Sequence, residues 1–407
     1  MTKKEIIEAA FRVWGRDFYR KTSLSQLARE LKVSKPALYR HFENKQELTA
    51  AMTEYFCDDF ASSTGDGFDK ALQASDADEG IFIIIESIAG YFARNVYSLL
   101  FSMVNIYDRN MDVHTVSEKI KENGVDMNTI QLVIEKKYDA NQAILKLIFA
   151  SLTFYMSHFH KANRSFKNSP SDKQIKEIIF TINTIIKKGL GFTLEDAGAL
   201  DFENLEKQVE GTMHSIKPEP LFQAVAEAVA EAGPWDASMD MVAKRMGLRK
   251  SSLYCHFKNK KDMLRRLFIG EFRSIIEFAR HGIKLSEKTA EQLYLGIYSI
   301  AVYLRSRPEI LIAMGWIRTR KLDLGKPDKK FEILRLFEDI EIESVKSIGE
   351  EEKQRISHWI LFLLINILIR PYLSNNDLQN GSYINTQNND IRILYRLITL
   401  GLGGFLR

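Results

Sequence analysis

Two cysteines, Cys57 and Cys255, are all that 407 residues contain. No disulfide framework can be built from them, so a reducing cytosol is the expected compartment. Proline is scarce, with eight in the chain, and strand-like alternation is rare. Long stretches of Ile, Leu, Ala, Glu and Lys predict an all-α protein. No apolar run has the length of a bilayer span. The run 359–369 is short and interrupted by Asn366, and the longer stretch 81–104 carries Glu86 and Arg94. The opening MTKKEIIEAAF has no apolar core of signal-peptide type. A soluble protein without membrane partners is expected.

Catalytic patterns are missing too. There is no G-x-S-x-G, P-loop or H-E-x-x-H, and no nucleophile is paired with a base in motif context. His158 and His160, with His114, are the one histidine group to consider. Residues two apart do not share a helix face, and no Cys/His spacing fits zinc. The expectation is a non-enzymatic protein with no catalytic residue, no metal and no cofactor. A net charge of +4 says little by itself. Its distribution says more: nine Lys/Arg fall between Lys244 and Arg266, against the single acid Asp262. That run coincides with a repeated motif, which favours an anionic partner over an ordinary solvated face.

The chain carries one sentence twice. SKPALYRHFENK at 34–45 returns as RKSSLYCHFKNK at 249–260, an offset of 215. SIAGY at 87–91 returns as SIAVY at 299–303, and GLG at 189–191 as GLGG at 401–404, both at an offset of 212. One net deletion of three residues between Lys45 and Ser87 reconciles them. A unit this long is a duplicated domain and not a solenoid repeat.

Each half opens with three short helices. The first has apolar positions Ile6, Ile7, Ala10, Phe11 and Trp14, matched by Leu221, Phe222, Val225, Ala226 and Val229. This is helical rhythm kept in both copies. The second starts at a capping Ser23 or Ser238 and buries Leu24, Leu27, Ala28 and Leu31, or Met239, Val242, Ala243 and Met246. A tight turn follows, with Gly247 suited to a left-handed position and Lys32 less comfortable there. The third starts at Ser34, a good cap, with Pro36 tolerated in the first turn; Arg249 replaces that cap in the second copy and predicts a weaker start.

Two short helices joined by such a turn form a helix-turn-helix, whose second helix enters the DNA major groove. On a helical wheel Leu38 and Phe42 point inward, as do Leu253 and Phe257. Pro36, Ala37 and Arg40 point out in copy 1; Ser251, Ser252 and Cys255 do so in copy 2. Arg40 suits guanine and Ala37 a thymine methyl, whereas the serines specify less and Cys255 cannot imitate Arg40. For Cys255 a tolerated small residue is the plainer reading than a redox sensor. The copies are therefore expected to read different half-sites. Tyr39, His41 and Lys45, with Tyr254, His256 and Lys260, suit phosphate contacts. The expected DNA-facing set is completed by Ser34, Lys35, Arg249 and Lys250.

These residues resemble the TetR family of bacterial transcriptional regulators. Its pattern runs from Thr22-Ser23 to Leu48, and again from Ala237-Ser238 to Met263, about fifty residues per half. Phe18 stands where the family usually has glycine, a position Gly233 keeps. The resemblance implies a three-helix DNA-binding head and a helical body that binds a small, often apolar effector and carries the dimer interface. The implied domains are 1–50 (first head), 51–196 (first body), 197–217 (linker), 218–265 (second head) and 266–407 (second body).

Body helices are expected over 45–60, 80–107, 142–160 and 174–189 in the first half. In the second they are expected over 260–281, 289–306, 309–320, 329–347, 353–370 and 389–402, with 381–390 a polar loop. Apolar stripes on 142–160 (Ile144, Leu145, Ile148, Leu152, Tyr155) and 353–370 (Ile356, Ile360, Leu364, Ile367) are compatible with an intrachain pseudo-dimer, with ordinary core, or with a two-chain assembly. Tyr91, Phe101, Phe154, Tyr155, Tyr303 and Trp316 are candidate effector contacts, although such residues are usually core. The expected function is a DNA-binding transcriptional regulator, by family default a repressor, acting in the cytoplasm on the nucleoid. The competing reading is a helical interaction protein in which one or both heads no longer bind DNA.

Overall fold

The computed structural model describes residues 2–16, 19, 23–107, 113–139, 141–162, 170–212, 219–319, 340, 342, 349–373 and 383–406. Among them the secondary structure is helical, apart from one isolated antiparallel bridge between Tyr138 and Leu406. The chain divides into two compact units. Unit 1 comprises Met1–Lys187 together with Phe405–Arg407, and unit 2 comprises Lys188–Gly404.

Unit 1 opens with α1 (Lys3–Arg16), α2 (Leu24–Glu30) and α3 (Lys35–Tyr39). The apolar stripe of α1 is buried, Trp14 included. Then comes α4 (Lys45–Gln73), which begins in the head and runs on into the body, longer than the expected 45–60. It packs along α5 (Ala77–Arg94). The stretch 80–107, expected as one helix, is two. Asn95 breaks it with φ −120 and ψ 65, and its amide donates to the Tyr91 carbonyl at 3.0 Å. α6 (Val96–Tyr107) follows and lies against α1. Two helices not expected from the sequence are α7 (Val113–Glu122) and α8 (Thr129–Ile134). α9 (Gln142–Ala162) packs on α5 and α6, and α10 (Asp172–Lys188) ends the half.

Unit 2 repeats the plan. α11 (Leu194–Ala197) lies at the end of the stretch expected as the first body, and the segment expected as a linker contains α12 (Phe202–Thr212). α12 is docked by a buried carboxylate: Glu206 accepts from Tyr294, Asn388 and both arms of Arg392. The second head is α13 (Pro220–Asp236), α14 (Met239–Arg245) and α15 (Lys250–Leu253). The body is α16 (Lys260–Ile283), α17 (Thr289–Ser306), α18 (Pro308–Thr319), α19 (Glu350–Leu368), α20 (Arg370–Leu373) and α21 (Tyr383–Leu400). α18 lies on α13, and α19 on α17, α18 and α21. The expected helix 329–347 falls almost wholly outside the described residues.

The expected loop 381–390 is corrected from residue 383 onward, where α21 already runs. Its polar residues are satisfied inside the helical packing: Gln387 accepts from Arg305 and donates to the Leu368 carbonyl, and Asp390 accepts from Arg370. Polarity here marks buried hydrogen bonding and not a break in the helix.

The duplication also kept one tight crossing. Gly67 on α4 faces Ser87 on α5 so closely that a Cβ would meet the hydroxyl, and Gly282 on α16 faces Ser299 on α17 in the same way. Gly67 and Gly282 differ by 215, Ser87 and Ser299 by 212, so the three-residue deletion lies between Gly67 and Ser87.

Candidate nucleic-acid interface

Both heads build their turn alike. The Val33 N–H donates to Ala28 O at 3.0 Å and the Leu248 N–H to Ala243 O at 2.9 Å. The residue before each is left-handed, Lys32 at φ 56 and Gly247 at φ 65. Glycine adopts that region without a steric penalty, so copy 1 holds its turn under strain that copy 2 lacks.

The helix starts differ as their residues dictate. Ser23 and Ser238 cap α2 and α14, accepting from Gln26 N at 3.1 Å and Met241 N at 3.3 Å. Ser34 caps α3 by accepting from Ala37 N at 3.3 Å. Arg249 gives no side-chain cap, and α15 has four residues against five in α3. The next helices start on matching caps that the sequence reading did not extract. Asn44 accepts from Glu47 N and Asn259 from Asp262 N, while Glu47 and Asp262 accept from the N–H groups of Glu43 and Lys258. The signal was present as Asn-Lys-x-acid in each copy.

The inward pairs are buried, and of the expected outward residues Ala37 and Ser252 are half-buried and the others exposed. Leu38 and Leu253 are fully buried, and Phe42 and Phe257 nearly so. Tyr39 and Tyr254 are 48% and 53% exposed despite being large and partly apolar. Ser34, Lys35, Pro36, Arg40 and Lys45 are exposed, while Ala37 and His41 are half-buried. In copy 2, Arg249, Lys250, Ser251, Tyr254, Cys255 and His256 are exposed, while Ser252 and Lys260 are half-buried.

Charge is less available in the second head than its sequence suggests. Lys250 pairs with Asp240 at 2.7 Å, Arg245 with Glu231, and Arg266 with Asp262 at 3.4 Å. Hydrogen bonding to Asp240 raises the Lys250 pKa, so this ammonium stays protonated in its pair. Lys260 donates to the Trp235 carbonyl. The Asp240, Glu231 and Trp235 partners lie 10 to 25 positions away, beyond any local sequence signal, whereas Arg266–Asp262 is a local pair four positions apart.

The expected effector residues sit in packed surroundings. Tyr91 donates to Asp59 at 2.8 Å, and burial, with Asp59 nearby, raises its pKa. Phe101 is ringed by Phe11, Phe56 and Tyr19. Phe154 and Tyr155 are buried on α9. Tyr303 donates to Glu271 at 2.6 Å, and Trp316, half-buried, packs against the Cα of Gly233. A cavity of about 560 Å³ in unit 2 lies elsewhere, lined by Phe192, Leu200, Ala290 and Ile342 and by Glu195 and Lys288 among its polar groups. His160 bonds the Phe92 carbonyl and His158 the Phe154 carbonyl. Among the described residues no three His, Cys, Asp or Glu gather as metal ligands, and no helix is long and apolar enough to cross a membrane.

Residues 6–52 and 221–267 each match the family described as "Bacterial regulatory proteins, tetR family". The chain is similar to "Fatty acid metabolism regulator protein" of Bacillus subtilis (strain 168). The two are 26% identical over 162 residues, which is 38% of this chain and 83% of that protein. It is also similar to "Uncharacterized HTH-type transcriptional regulator YuxN" of the same organism, 38% identical over 56 residues, which is 14% of this chain and 19% of that one.

Proposed function

We propose, from the premise that this chain belongs to the TetR family of bacterial regulatory proteins in two tandem copies, that it binds an asymmetric operator as a covalent pseudo-dimer and represses transcription. One observation carries the reading. In both copies the buried pair formed by the recognition helix and the turn after it is kept, while the outward residues have diverged. Identical readers would need a symmetric operator; readers offering Pro36, Ala37 and Arg40 against Ser251, Ser252 and Cys255 do not. Tyr39, His41 and Lys45, with Tyr254 and His256, contact phosphates and set register. Head 1 supplies most of the base reading and head 2, its cations partly paired, the lesser share.

Joining the heads makes the second binding event intramolecular, at an effective concentration set by the linkage. The heads would address major grooves about 34–36 Å apart. A small apolar effector acting on a body would release DNA by shifting packed helices. Similarity to a protein named as a fatty acid metabolism regulator supports targets in that area of metabolism.

The test is selection of bound duplexes from a random pool by the full chain, followed by anisotropy titration at several salt concentrations. Two unlike half-sites about one helical turn apart, with affinity falling steeply with salt, are expected. A strictly palindromic consensus overturns the asymmetry. Absence of any salt-sensitive, site-preferring binding favours the interaction-protein reading, to which the internally paired Lys250 and Lys260 would lend support.

A further inference from the structure

We propose that the buried Glu271–Arg307 pair is a lock that holds the connecting helix of the second head in one register, leaving the first head the more mobile of the two. Glu271 lies on α16, about 16 Å along that helix from its start in the head. Its carboxylate accepts from the Tyr303 hydroxyl at 2.6 Å and from Arg307 Nη2 at 3.1 Å. Arg307 also donates through Nε to Glu309 at 2.6 Å. The side chains of Glu271, Arg307 and Glu309 are 8%, 5% and 12% exposed, so the network is shielded from water.

Arg307 occupies the joint between α17 and α18, where its carbonyl accepts from the N–H groups of Ile310 and Leu311. α18 in turn packs on α13, with Trp316 against Gly233 and edge-on to Trp235. The lock therefore ties the helix leaving the head to the joint that leads into the helix supporting the head.

Unit 1 has the same joint without the lock. Asn95 stands at the position of Arg307, with backbone angles of −120 and 65 against −129 and 64. Phe56 stands at the position of Glu271. Tyr91, the counterpart of Tyr303, donates to Asp59 instead, a half-buried residue one helical turn further along α4. Wider burial follows the same division. The buried charged residues found among the described part of the chain, Glu206, Glu271, Arg307 and Asp390, all lie in unit 2.

A buried ion pair is poor evidence for added stability, because removing two charges from water costs about as much as their attraction returns. Burial pushes the Glu271 carboxyl above its usual range against the pull of Tyr303 and Arg307. What such a pair supplies is discrimination. A sliding or rotated α16 would leave a buried charge unmatched, whereas α4 faces no comparable penalty for small shifts.

Hydrogen–deuterium exchange on the full chain tests this without DNA. Amides over 264–279 are expected to exchange at least about tenfold more slowly than those over 49–64. The double variant E271F/R307N installs the copy 1 residues and is expected to close that gap to about threefold while leaving 49–64 unchanged. If it unfolds unit 2, E271Q decides, since it keeps shape and the Tyr303 contact while removing one charge; an intermediate loss of protection is expected. Equal protection of the two helices in the unaltered chain overturns the lock, as does unchanged protection in E271Q and the double variant. A second arm, which rests on the DNA-binding reading above, measures dissociation from a duplex selected by the full chain. E271Q is expected to dissociate about threefold to tenfold faster, because a less preorganised head holds less well. No DNA binding at all, with the protection gap intact, refutes that reading and leaves the lock standing.

Discussion

The two units place the same helices under different constraints. Unit 1 caps its recognition helix with Ser34 yet strains its turn at Lys32; unit 2 relaxes the turn with Gly247 yet leaves Arg249 at an uncapped start. Unit 1 leaves Lys45 exposed, while unit 2 binds Lys260 to the Trp235 carbonyl. Both units bury hydroxyls, but among the described residues the buried Asp, Glu and Arg side chains lie in unit 2. The duplication thus keeps the Leu38/Leu253 and Phe42/Phe257 pairs and the Gly–Ser crossing, while the outward residues of the third helix and the polar groups around α4 and α16 have diverged. Exposed positions away from caps and paired groups change at little cost, whereas changes at packed or buried polar positions cost more.

The strongest test of shared architecture is the Gly–Ser crossing. Gly282→Ala is expected to destabilise unit 2 by about 2–3 kcal/mol and Gly67→Ala to destabilise unit 1 by about 1–2 kcal/mol, read from denaturant unfolding. The difference arises because a Cβ at 282 also meets the rigid Leu295 carbonyl oxygen at 2.8 Å, while at 67 it meets side-chain atoms. Equal costs would mean that both crossings relax by the same movement.

Arg40→Ala is expected to weaken operator binding by about 1–3 kcal/mol and to relax preference in one half-site only. Cys255→Ala is expected to change affinity by less than about 0.5 kcal/mol. Competition with half-site variants checks both, and a larger effect at Cys255 would reverse the ranking of the heads.

Asp78 offers a comparison confined to unit 1. Burial pushes its carboxyl up, but hydrogen bonds from Lys187, Tyr138 and Lys137 outweigh that and hold it at about 2. A depressed carboxylate adds stability that is present above its unfolded pKa and lost as pH falls toward 2. Asp78→Asn should therefore cost about 1–2 kcal/mol at neutral pH, allowing for solvent around the lysines, and flatten acid unfolding of unit 1 between about pH 4 and pH 2. Acid unfolding that is unchanged in the variant would assign the transition to other groups.

The smallest effects lie in the heads. Ser34→Ala is expected to cost about 1 kcal/mol, and Arg249→Ser to return somewhat less than that to the second head. Lys32→Gly is expected to stabilise by about 0.5–1 kcal/mol by relieving the left-handed turn. Thermal unfolding of the single variants ranks them, and a destabilising Lys32→Gly would mean that the side chain itself is needed.

Much of the head was legible in one sequence because its determinants are local. A serine cap, a three-residue turn and an apolar pair one turn apart act within a few positions of each other. The body was read less well. Asn95 breaks a helix inside an apolar run, and Gln387 and Asp390 sit in a helix that looks polar enough to be a loop. Their partners, Arg305, Arg370 and the Leu368 carbonyl, lie roughly twenty to eighty positions away.

Sequence alone determined the duplication, the helical class, the inward and outward faces of each recognition helix and the cap that copy 2 lost. These follow from periodicity and from interactions within one turn of helix. Only the tertiary structure decided that the polar stretch after residue 197 contains a docked helix, that Lys250 and Lys260 are internally engaged, and that Glu271 meets Arg307. Each depends on polar groups brought together over long separations, and a buried charge is stable only where the fold supplies its partner.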